Sequence, residues 1–588
     1  CNYMVIPHNS NLSNGFMFET PNQDEIYLQN IKEPLVEIFQ HKGSSECAIT
    51  SIDPLCNFEQ LPYKDFRSKF QNDLSQPPKS SFVREALNTG LLLQSQQDIN
   101  PFKLGIIGST DTHFGTPGSV DEDNFLGGGG AGASAALALE GSGFNIHLAT
   151  KLRLGDSNTV MAEGGIQAAL AANDSPRRHF ADAMVGGHGE NETGLLRILC
   201  ESGPKSISWL SQLGCLFDRN SDGTFRLRGG GGTSVSRVLA CRDYTGLEIM
   251  RVLKDAVRLS STNILEEHIA VELLDDGNST VTGAVLYDRK SARLLNVSAR
   301  AVILATGGSG QLRLQNFPTS NHVGATGDGL VMAYRQGCRL KFVDSYQYHP
   351  SGACYPEALA GQLVTEAVRS AGAQVVNSEG LHFINELAYR DVLAGAIIKE
   401  IREGRGVTTP NGKQGIWLDT PMIDLKNGEG TLANQFPGLM HRFERYKIDP
   451  VKTPILIYPT LHYQNGGIFI DSQCKTELQG LWASGEVTGG VHGKNRLMGN
   501  SLLDILVFGR RAAESVKEEI PERGPLTLTN LKEFRKNLPE SLIKSPLFFP
   551  AASKINLNIG KPEIETAKSD SSSLDNSATF EPPDPFAH

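Results

Sequence analysis

The sequence predicts an α/β chain in which one glycine-rich domain is interrupted by a second, and three observations carry that expectation. Of 588 residues 61 are glycine, and the excess sits in short clusters rather than in a G-X-Y period. Those clusters follow strand-like runs or precede helix-like ones, as in LGGGGAGASAALALE from Leu126 and AVILATGGSG from Ala301. The same rhythm returns after a mixed stretch, in GLWASGEVTGG and NSLLDILVFGRRAAESV, so one domain is split around an insertion.

At about 150 residues per domain the length corresponds to roughly four domains, enough to bury a large core. The 55 basic and 65 acidic side chains give a net charge of −10, which offers no general attraction to nucleic acid or anionic lipid. No nucleic-acid partner is expected, and no membrane span either, since no apolar run approaches the ~18 residues of a spanning helix. Nine cysteines without a CxxC exclude a disulfide framework, a zinc ribbon and an iron–sulfur cassette, and point to a reducing, cytoplasmic compartment. The chain begins at Cys1 and shows no basic-then-apolar leader, so a truncated or processed N-terminus is expected.

Residues 1–126 are polar and irregular, with a strand expected in KLGIIGS at 103–109 and a helix around EPLVEIFQHKG. From 127 to 340, glycine turns alternate with helical and β-rich patterns, forming the first part of the interrupted domain. Residues 341–460 form the insertion and 461–520 the second part of the first domain, followed by an extension over 521–560. The tail 561–588 is rich in Ser, Pro and acids, too poor in apolar residues to offset its ordering entropy, and is expected to be disordered.

Gly127, Gly129 and Gly132 spell GxGxxG ahead of an alanine-rich segment of high helix propensity. Glycines let a backbone turn approach a pyrophosphate, and the following helix N-terminus supplies free N–H donors and a positive dipole end. A flexible glycine linker is the competing reading, because GxGxxG alone is weakly specific. FNIHLATK at 144–151 lies where the second strand of a dinucleotide fold belongs, and AVILATGG adds another strand and turn. The acidic residue that usually closes the second strand is absent; Ala149, Thr150 and Lys151 stand there, leaving Thr150 as the candidate ribose ligand.

In order along the chain stand GGGGAGASAAL, SNTVMAEGGIQAAL, ATGGSG, ATGDGL, QYHPSG, TEAVRSAGA, RDV, HYQNGGIFID and GEVTGGVHGKNRLMGNSLLDILVFGR. From Gly128 to about Arg511 the chain resembles the flavoprotein subunit of fumarate reductase and succinate dehydrogenase, and it is similar also to L-aspartate oxidase. The resemblance implies a Rossmann-like FAD-binding domain interrupted by a capping α+β domain, and hydride transfer between flavin and a small dicarboxylate. It implies FAD contacts at Gly127, Gly129, Gly132, Thr150, Lys151, Ser157, Asn158, Thr159, Gly164, Gly165, Ala305, Thr306, Gly307, Asp328, Glu486, Asn500, Ser501 and Leu502. Members that tether FAD carry a histidine where this chain has Asn158, so FAD is expected to be non-covalent, which suits fumarate reduction better than succinate oxidation. Without cluster cysteines, the chain is expected to need a separate iron–sulfur or flavin partner, through which it would lie peripheral to a membrane, or reoxidation by oxygen.

A dicarboxylate site needs cations and donors at both ends of a small substrate. His349, Thr365, His462 and Arg496 match the family's carboxylate-binding positions, and the planar fork of Arg496 can hold a carboxylate through two bonds. Arg390 matches the position the family uses as proton donor, with Glu366 and Arg369 as the relay that resupplies it. Glu366 and Arg369 are three apart and share a face if TEAVRS is helical. Taken singly, either histidine reads as structural and Arg390 beside Asp391 as a surface pair. Their joint occurrence favours the site.

Residues 1 to about 127 resemble a different family, a domain of unassigned function related to the PHP metal-dependent phosphoesterases, through IPHNSNLSNGFMF, EPLVEIFQHKGSSEC and GIIGSTDTHFGTPGSVDEDNF. His8, Glu37, His41, Glu46, Asp111 and His113 are ligand types suited to a divalent metal. The family's opening HxH strand is missing, so a partial PHP-like α/β segment with an incomplete metal site is expected. Metal-dependent hydrolysis and an L-aspartate oxidase activity are the alternatives to dicarboxylate redox chemistry.

The two resemblances meet where SVDEDNFLG runs into GGGAGASAAL. A dinucleotide fold needs a buried apolar strand just before GxGxxG, yet Asp121, Glu122 and Asp123 occupy that window. KLGIIGS is apolar enough but ends well upstream, behind a loop longer than compact connections usually have. Residues 120–126 are therefore expected to serve poorly as the central strand and to leave FAD weakly held.

Overall fold

The computed structural model describes residues 35–40, 43–44, 82–97, 102, 105–108, 129–313 and 317–538. The chain divides into two compact units, Cys1–Glu122 and Asp123–His588. In the first unit, β1 (Leu35–Gln40) pairs antiparallel with β2 (Gly43–Ser44) and parallel with β3 (Gly105–Gly108), and α1 spans Val83–Gln97. β3 falls within the expected KLGIIGS strand. The helix expected around EPLVEIFQHKG is instead β1, in which Val36, Ile38 and Phe39 are β-branched or aromatic. His8, His41, Glu46, Asp111, His113 and the side chain of Glu37 lie outside the described residues. Among the described residues no group of three or more His, Cys, Asp or Glu could hold a metal.

The second unit opens with α2 (Gly130–Leu139) and β4 (His147–Ala149). Helices α3 (Pro176–Gly186), α4 (Thr193–Gln212) and α5 (Thr245–Leu259) follow, then β5 (Asn263–Leu265), which pairs parallel with β4. An antiparallel meander of β6 (His268–Asp275), β7 (Val281–Asp288) and β8 (Arg293–Ser298) leads to β9 (Val302–Leu304) and α6 (Asp328–Arg335).

The insertion builds on β10 (Tyr346–Ala353), α7 (Glu366–Ser370), β11 (Gln374–Val376), α8 (Arg390–Glu400), β12 (Gln414–Asp419), α9 (Pro437–Glu444) and β13 (Ile455–Gln464). Its antiparallel sheet runs β10–β13–β12–β11, with Val407–Thr408 also paired to β12. This sheet and its helices enclose their own apolar cluster, including Val364, Leu393, Ile416, Phe436, Phe443 and Ile457.

After the insertion, β14 (Leu481–Ala483) pairs parallel with β9, and α10 (Asn500–Glu518) crosses α2 inside the main core. That crossing depends on small residues. A Cβ on Gly509 would lie 2.5 Å from the Ala131 carbonyl, so that position cannot carry a larger residue at this approach, while one on Gly130 would lie 2.5 Å from Ile505 Cδ1 and force that side chain to shift. A last helix, α11 (Thr529–Lys536), seats Leu528 and Leu531 against Leu274 and Val285 of the meander.

The parallel pairs β4–β5 and β9–β14 flank the start of α2. A Cβ on Gly132 would meet Leu148 of β4 at 3.2 Å and Ala305 after β9 at 3.6 Å. Among the described residues no strand hydrogen-bonds to both β4 and β9. Residues 120–126, the segment expected in that position, lie outside the described residues, as does the tail 561–588. An acidic segment there leads to an expected FAD content below one per chain, measured by visible absorbance against protein concentration. A full equivalent held through dialysis would show that the three carboxylates are accommodated.

Candidate active site

The start of α2 offers backbone donors to an anion: Gly129 at its N-cap makes no side-chain cap, and the Gly130 N–H approaches Thr159 Oγ1 at 3.4 Å. Gly127 lies outside the described residues. Lys151, just past β4, donates to Thr326 at 2.6 Å and pairs with Asp328 Oδ2 at 2.8 Å, tying the second strand to the first turn of α6. The Thr150 hydroxyl, expected to face a ribose, donates instead to the Leu152 carbonyl while its N–H bonds Leu265. Lys151 and Asp328 hold the more open polar position at that strand end, with side chains about one-third exposed.

Several buried polar atoms around this cleft lack hydrogen-bond partners among the described residues, including Ser157 Oγ, Ser484 Oγ and His322 Nε2. Such groups are costly unless a ligand satisfies them. The turn after β9 brings the Ala305 carbonyl to 3.7 Å from a Cβ on Gly129, sets Thr306 against Gly329 and turns at Gly307 with φ 73°. Gly164 lies beside Thr365 Oγ1 and Met498 Sδ, and Gly165 adopts φ 119°. At the head of α10, Asn500 Oδ1 meets His179 Nε2 at 2.8 Å, Ser501 Oγ accepts from Arg496 at 3.0 Å, and Leu502 is buried. A helix N-terminus beside orphaned hydroxyls and close-approach glycines fits FAD.

Asn158 is fully engaged: its amide nitrogen donates to Asn321 Oδ1 at 2.9 Å and Glu486 Oε2 at 3.3 Å, and its oxygen accepts from the His322 N–H at 2.6 Å. Burial pushes the Glu486 carboxyl up, against the Gln464 N–H and Asn158, which pull it down. That coupling of Asn158 to Glu486 crosses 328 residues and left no mark in the sequence.

The catalytic candidates gather around β10, β13 and the loop into α8. Gln347 pairs with Tyr463 but Tyr348 pairs with Leu461, so His462 is the extra residue of a β-bulge. The bulge turns its ring toward His349, with centroids 5.1 Å apart. The Ser351 N–H donates to His349 Nδ1 at 3.3 Å, which makes Nε2 the protonated, donating nitrogen when the ring is neutral. Burial, then the nearby Arg390, holds both histidines well below the ordinary range, so neither is charged at neutral pH. Arg496 is 3% exposed, stacks over Tyr463 at 4.1 Å and donates to Ser501 and, at 3.4 Å, to the Leu497 carbonyl. Burial and Arg390 lower it to about 10. Its Nε has no partner among the described residues.

Arg390 opens α8 and donates from Nε to Glu366 Oε2 at 2.9 Å and from Nη1 to Gln347 Oε1 at 2.9 Å. Glu366 also accepts from Arg369 Nη2 at 3.3 Å and from the Gly231 N–H at 2.7 Å. The helical spacing of Glu366 and Arg369 thus brings the two into contact, as i,i+3 predicts. Burial alone would raise the Glu366 carboxyl, yet Arg390 and Arg369 hold it below its usual range. Thr365 caps α7 through its hydroxyl, which accepts from Ala367 N–H at 3.4 Å.

Sequence reasoning missed the residues that position these groups. Gln347 donates to Asn495 Oδ1 and the Arg496 carbonyl, both at 2.7 Å, and so links the two arginines. Asp243 accepts from the Gly438 and Leu439 N–H groups at the start of α9, while Arg442 of the same helix pairs with Glu163. Together they fasten the insertion to the segment that carries Gly164. Burial, opposed by Arg442, pushes Glu163 up to about 7. A carboxylate beside a GG pair was visible in MAEGG, but its partner 279 residues away was not.

A split parallel domain with an anion-binding helix start, covered by an insertion that presents arginines and neutral histidines, defines an FAD-dependent oxidoreductase acting on CH–CH groups. The FAD binding domain family matches residues 126–502, and a protein family of unknown function matches 1–187. An uncharacterised FAD-dependent oxidoreductase of Methanocaldococcus jannaschii is 41% identical over 384 residues, covering 64% of this chain and 68% of its own. One of the fumarate reductase (CoM/CoB) subunits of Methanothermobacter marburgensis is 37% identical, covering 67% of this chain and 71% of its own. Among solved structures, Escherichia coli quinol fumarate reductase matches with a TM-score of 0.64 and 32% identity, over 71% of this chain and 73% of that one. The chain belongs to the FAD-binding flavoprotein family of fumarate reductase and succinate dehydrogenase. The relation of residues 1–127 to PHP phosphoesterases finds no support beyond that family of unknown function.

Proposed function

We propose that this chain reduces a four-carbon dicarboxylate of the fumarate type, with succinate as product. One observation carries the reading: Arg390 and Arg369 share Glu366, while buried Arg496 makes no ion pair among the described residues and, with Arg390, acts on neutral His349 and His462. The buried, unpaired cation of Arg496 suits a substrate carboxylate, and burial makes that attraction worth far more than it would be in water.

Arg496, the Nε2–H of His349 and the His462 ring bind and orient the carboxylates. Thr365, against Gly164, sets where the substrate meets the cofactor face. Bound FAD supplies the hydride. Arg390, fixed by Glu366 and Gln347, holds the proton destined for the other alkene carbon, and Glu366 and Arg369 restore it. The start of α2, Lys151, Asp328, Ser157 and Glu486 hold FAD without a covalent bond, because the Asn158 amide offers no nucleophile and its atoms are bonded elsewhere. Acid or heat is expected to release all flavin into the supernatant; a fluorescent band on a denaturing gel would refute this.

Among the described residues no helix is long and apolar enough to cross a membrane. The electron source in this reading is a separate iron–sulfur or flavin protein, through which the chain would attach peripherally to a membrane. Purified protein with reduced viologen dye should convert fumarate to succinate. Oxidation of L-aspartate without fumarate reduction, or activity only as a metal-dependent hydrolase, would overturn the reading.

A further inference from the structure

Side-chain exposure is 7% for Arg390, 2% for Glu366 and 0% for Arg369, so the relay ends inside the protein. A group that gives up one proton per turnover must recover it from water, and two surface histidine–carboxylate pairs lie near enough to be considered. His188 meets Asp391 at 3.0 Å, and His382 meets Glu386 at 2.6 Å.

The first pair reaches Arg390 only through amides. Asp391 accepts from Asn495 Nδ2 at 2.9 Å, Asn495 Oδ1 accepts from Gln347, and Gln347 Oε1 accepts from Arg390. An amide NH2 group is neither acidic nor basic near neutral pH, so no proton passes from His188 to Arg390 along this path. The second pair includes the residue whose backbone carbonyl Arg369 bonds. Arg369 Nη1 donates to the Glu386 carbonyl, and the Glu386 carboxylate is among the charges acting on Arg369. Glu386 is 15% exposed and His382 44% exposed, so exposure rises outward from the buried guanidinium. His382 is also fixed by a backbone bridge to Val376, while the Val375 N–H donates to Glu386 Oε1 at 3.3 Å.

We infer that His382 and Glu386 form the solvent entry of the proton relay, a role that rests on the dicarboxylate reading. An N–H bond of Arg390 breaks as a C–H bond forms on the substrate, and the electron pair left on Arg390 takes a proton through Glu366 from Arg369. Arg369 recovers one from Glu386, which takes it from the His382 imidazolium, and water reprotonates His382. Each residue ends as it began, and only a solvent proton is consumed.

The test uses full-length, flavin-loaded protein with reduced viologen as donor and fumarate as acceptor. His382→Ala and Glu386→Gln should each lower kcat at least tenfold, with KM within twofold and with flavin content and melting temperature unchanged. Added imidazole should restore most of the His382→Ala turnover, and His188→Ala should match wild type. Wild-type kcat in His382→Ala, or a loss that imidazole does not relieve, overturns the entry role while leaving the dicarboxylate reading intact. A wild-type protein that turns over L-aspartate but not fumarate removes the dicarboxylate reading, and the entry role with it.

Discussion

Arg390→Gln is expected to lower fumarate turnover by about 10² to 10⁴-fold while leaving substrate affinity within a few-fold, since removal of a positioned general acid costs roughly that much. An exposed guanidinium is a poor acid, with a reference pKa above about 12. Here the group is 7% exposed in its side chain and held by Glu366 and Gln347, so its guanidinium is fixed where a proton can be delivered to a neighbouring carbon. Glutamine keeps a hydrogen bond to Glu366 Oε2 within reach but cannot deliver a proton. Glu366→Gln should mimic the turnover loss with a second signature. It removes the negative charge that Arg390 and Arg369 share and leaves two buried cations facing each other, so its melting temperature should fall as well. Stopped-flow mixing with fumarate separates the cases, because Arg390→Gln should bind at the wild-type concentration dependence and then stall. Unchanged turnover in Arg390→Gln would remove it from the mechanism.

Local patterns in the sequence carried much of this site. The alanine-rich run after the glycines became α2, VILA became β9, NSLLDILVFGRRAAESV became α10, and the three-residue spacing of Glu366 and Arg369 became a contact. Each rests on propensity or periodicity over a few residues. What escaped was either a balance of close alternatives or a meeting of distant segments. β1 was misjudged because LVEIFQ offers both helical and strand patterns, and parallel pairing with β3, about 70 residues away, decides it. Thr150 was expected at a ribose because position alone cannot show that its hydroxyl finds the Leu152 carbonyl first. The bulge at His462, the Gln347 bridge and the clasp of Asp243 and Glu163 on α9 arise from pairings 100 to 300 residues apart, which no local window contains.

Arg496→Ala should do the reverse of Arg390→Gln: dicarboxylate binding weakens by at least the ~1.5 to 3 kcal/mol of a charged hydrogen bond, roughly 10 to 150-fold in KM, with a smaller effect on kcat. The stability consequence distinguishes an anchor from a structural ion pair. Breaking a buried pair usually costs about 3 to 5 kcal/mol because the partner charge is left behind. Arg496 makes no such pair among the described residues; it donates to Ser501 and the Leu497 carbonyl, stacks on Tyr463, and leaves Nε unbonded. Burial already depresses it to about 10, which means that its charge destabilises the folded chain until an anion arrives. Truncation therefore removes a desolvation penalty along with some packing, and the melting temperature without substrate should stay near that of wild type. Succinate should raise the melting temperature of wild type by mass action and fail to do so in the variant. Arg496→Lys should recover only part of the affinity, because an ammonium keeps the charge but loses the planar fork that grips both carboxylate oxygens. Wild-type KM together with a large fall in melting temperature would reverse the assignment and make Arg496 a structural residue.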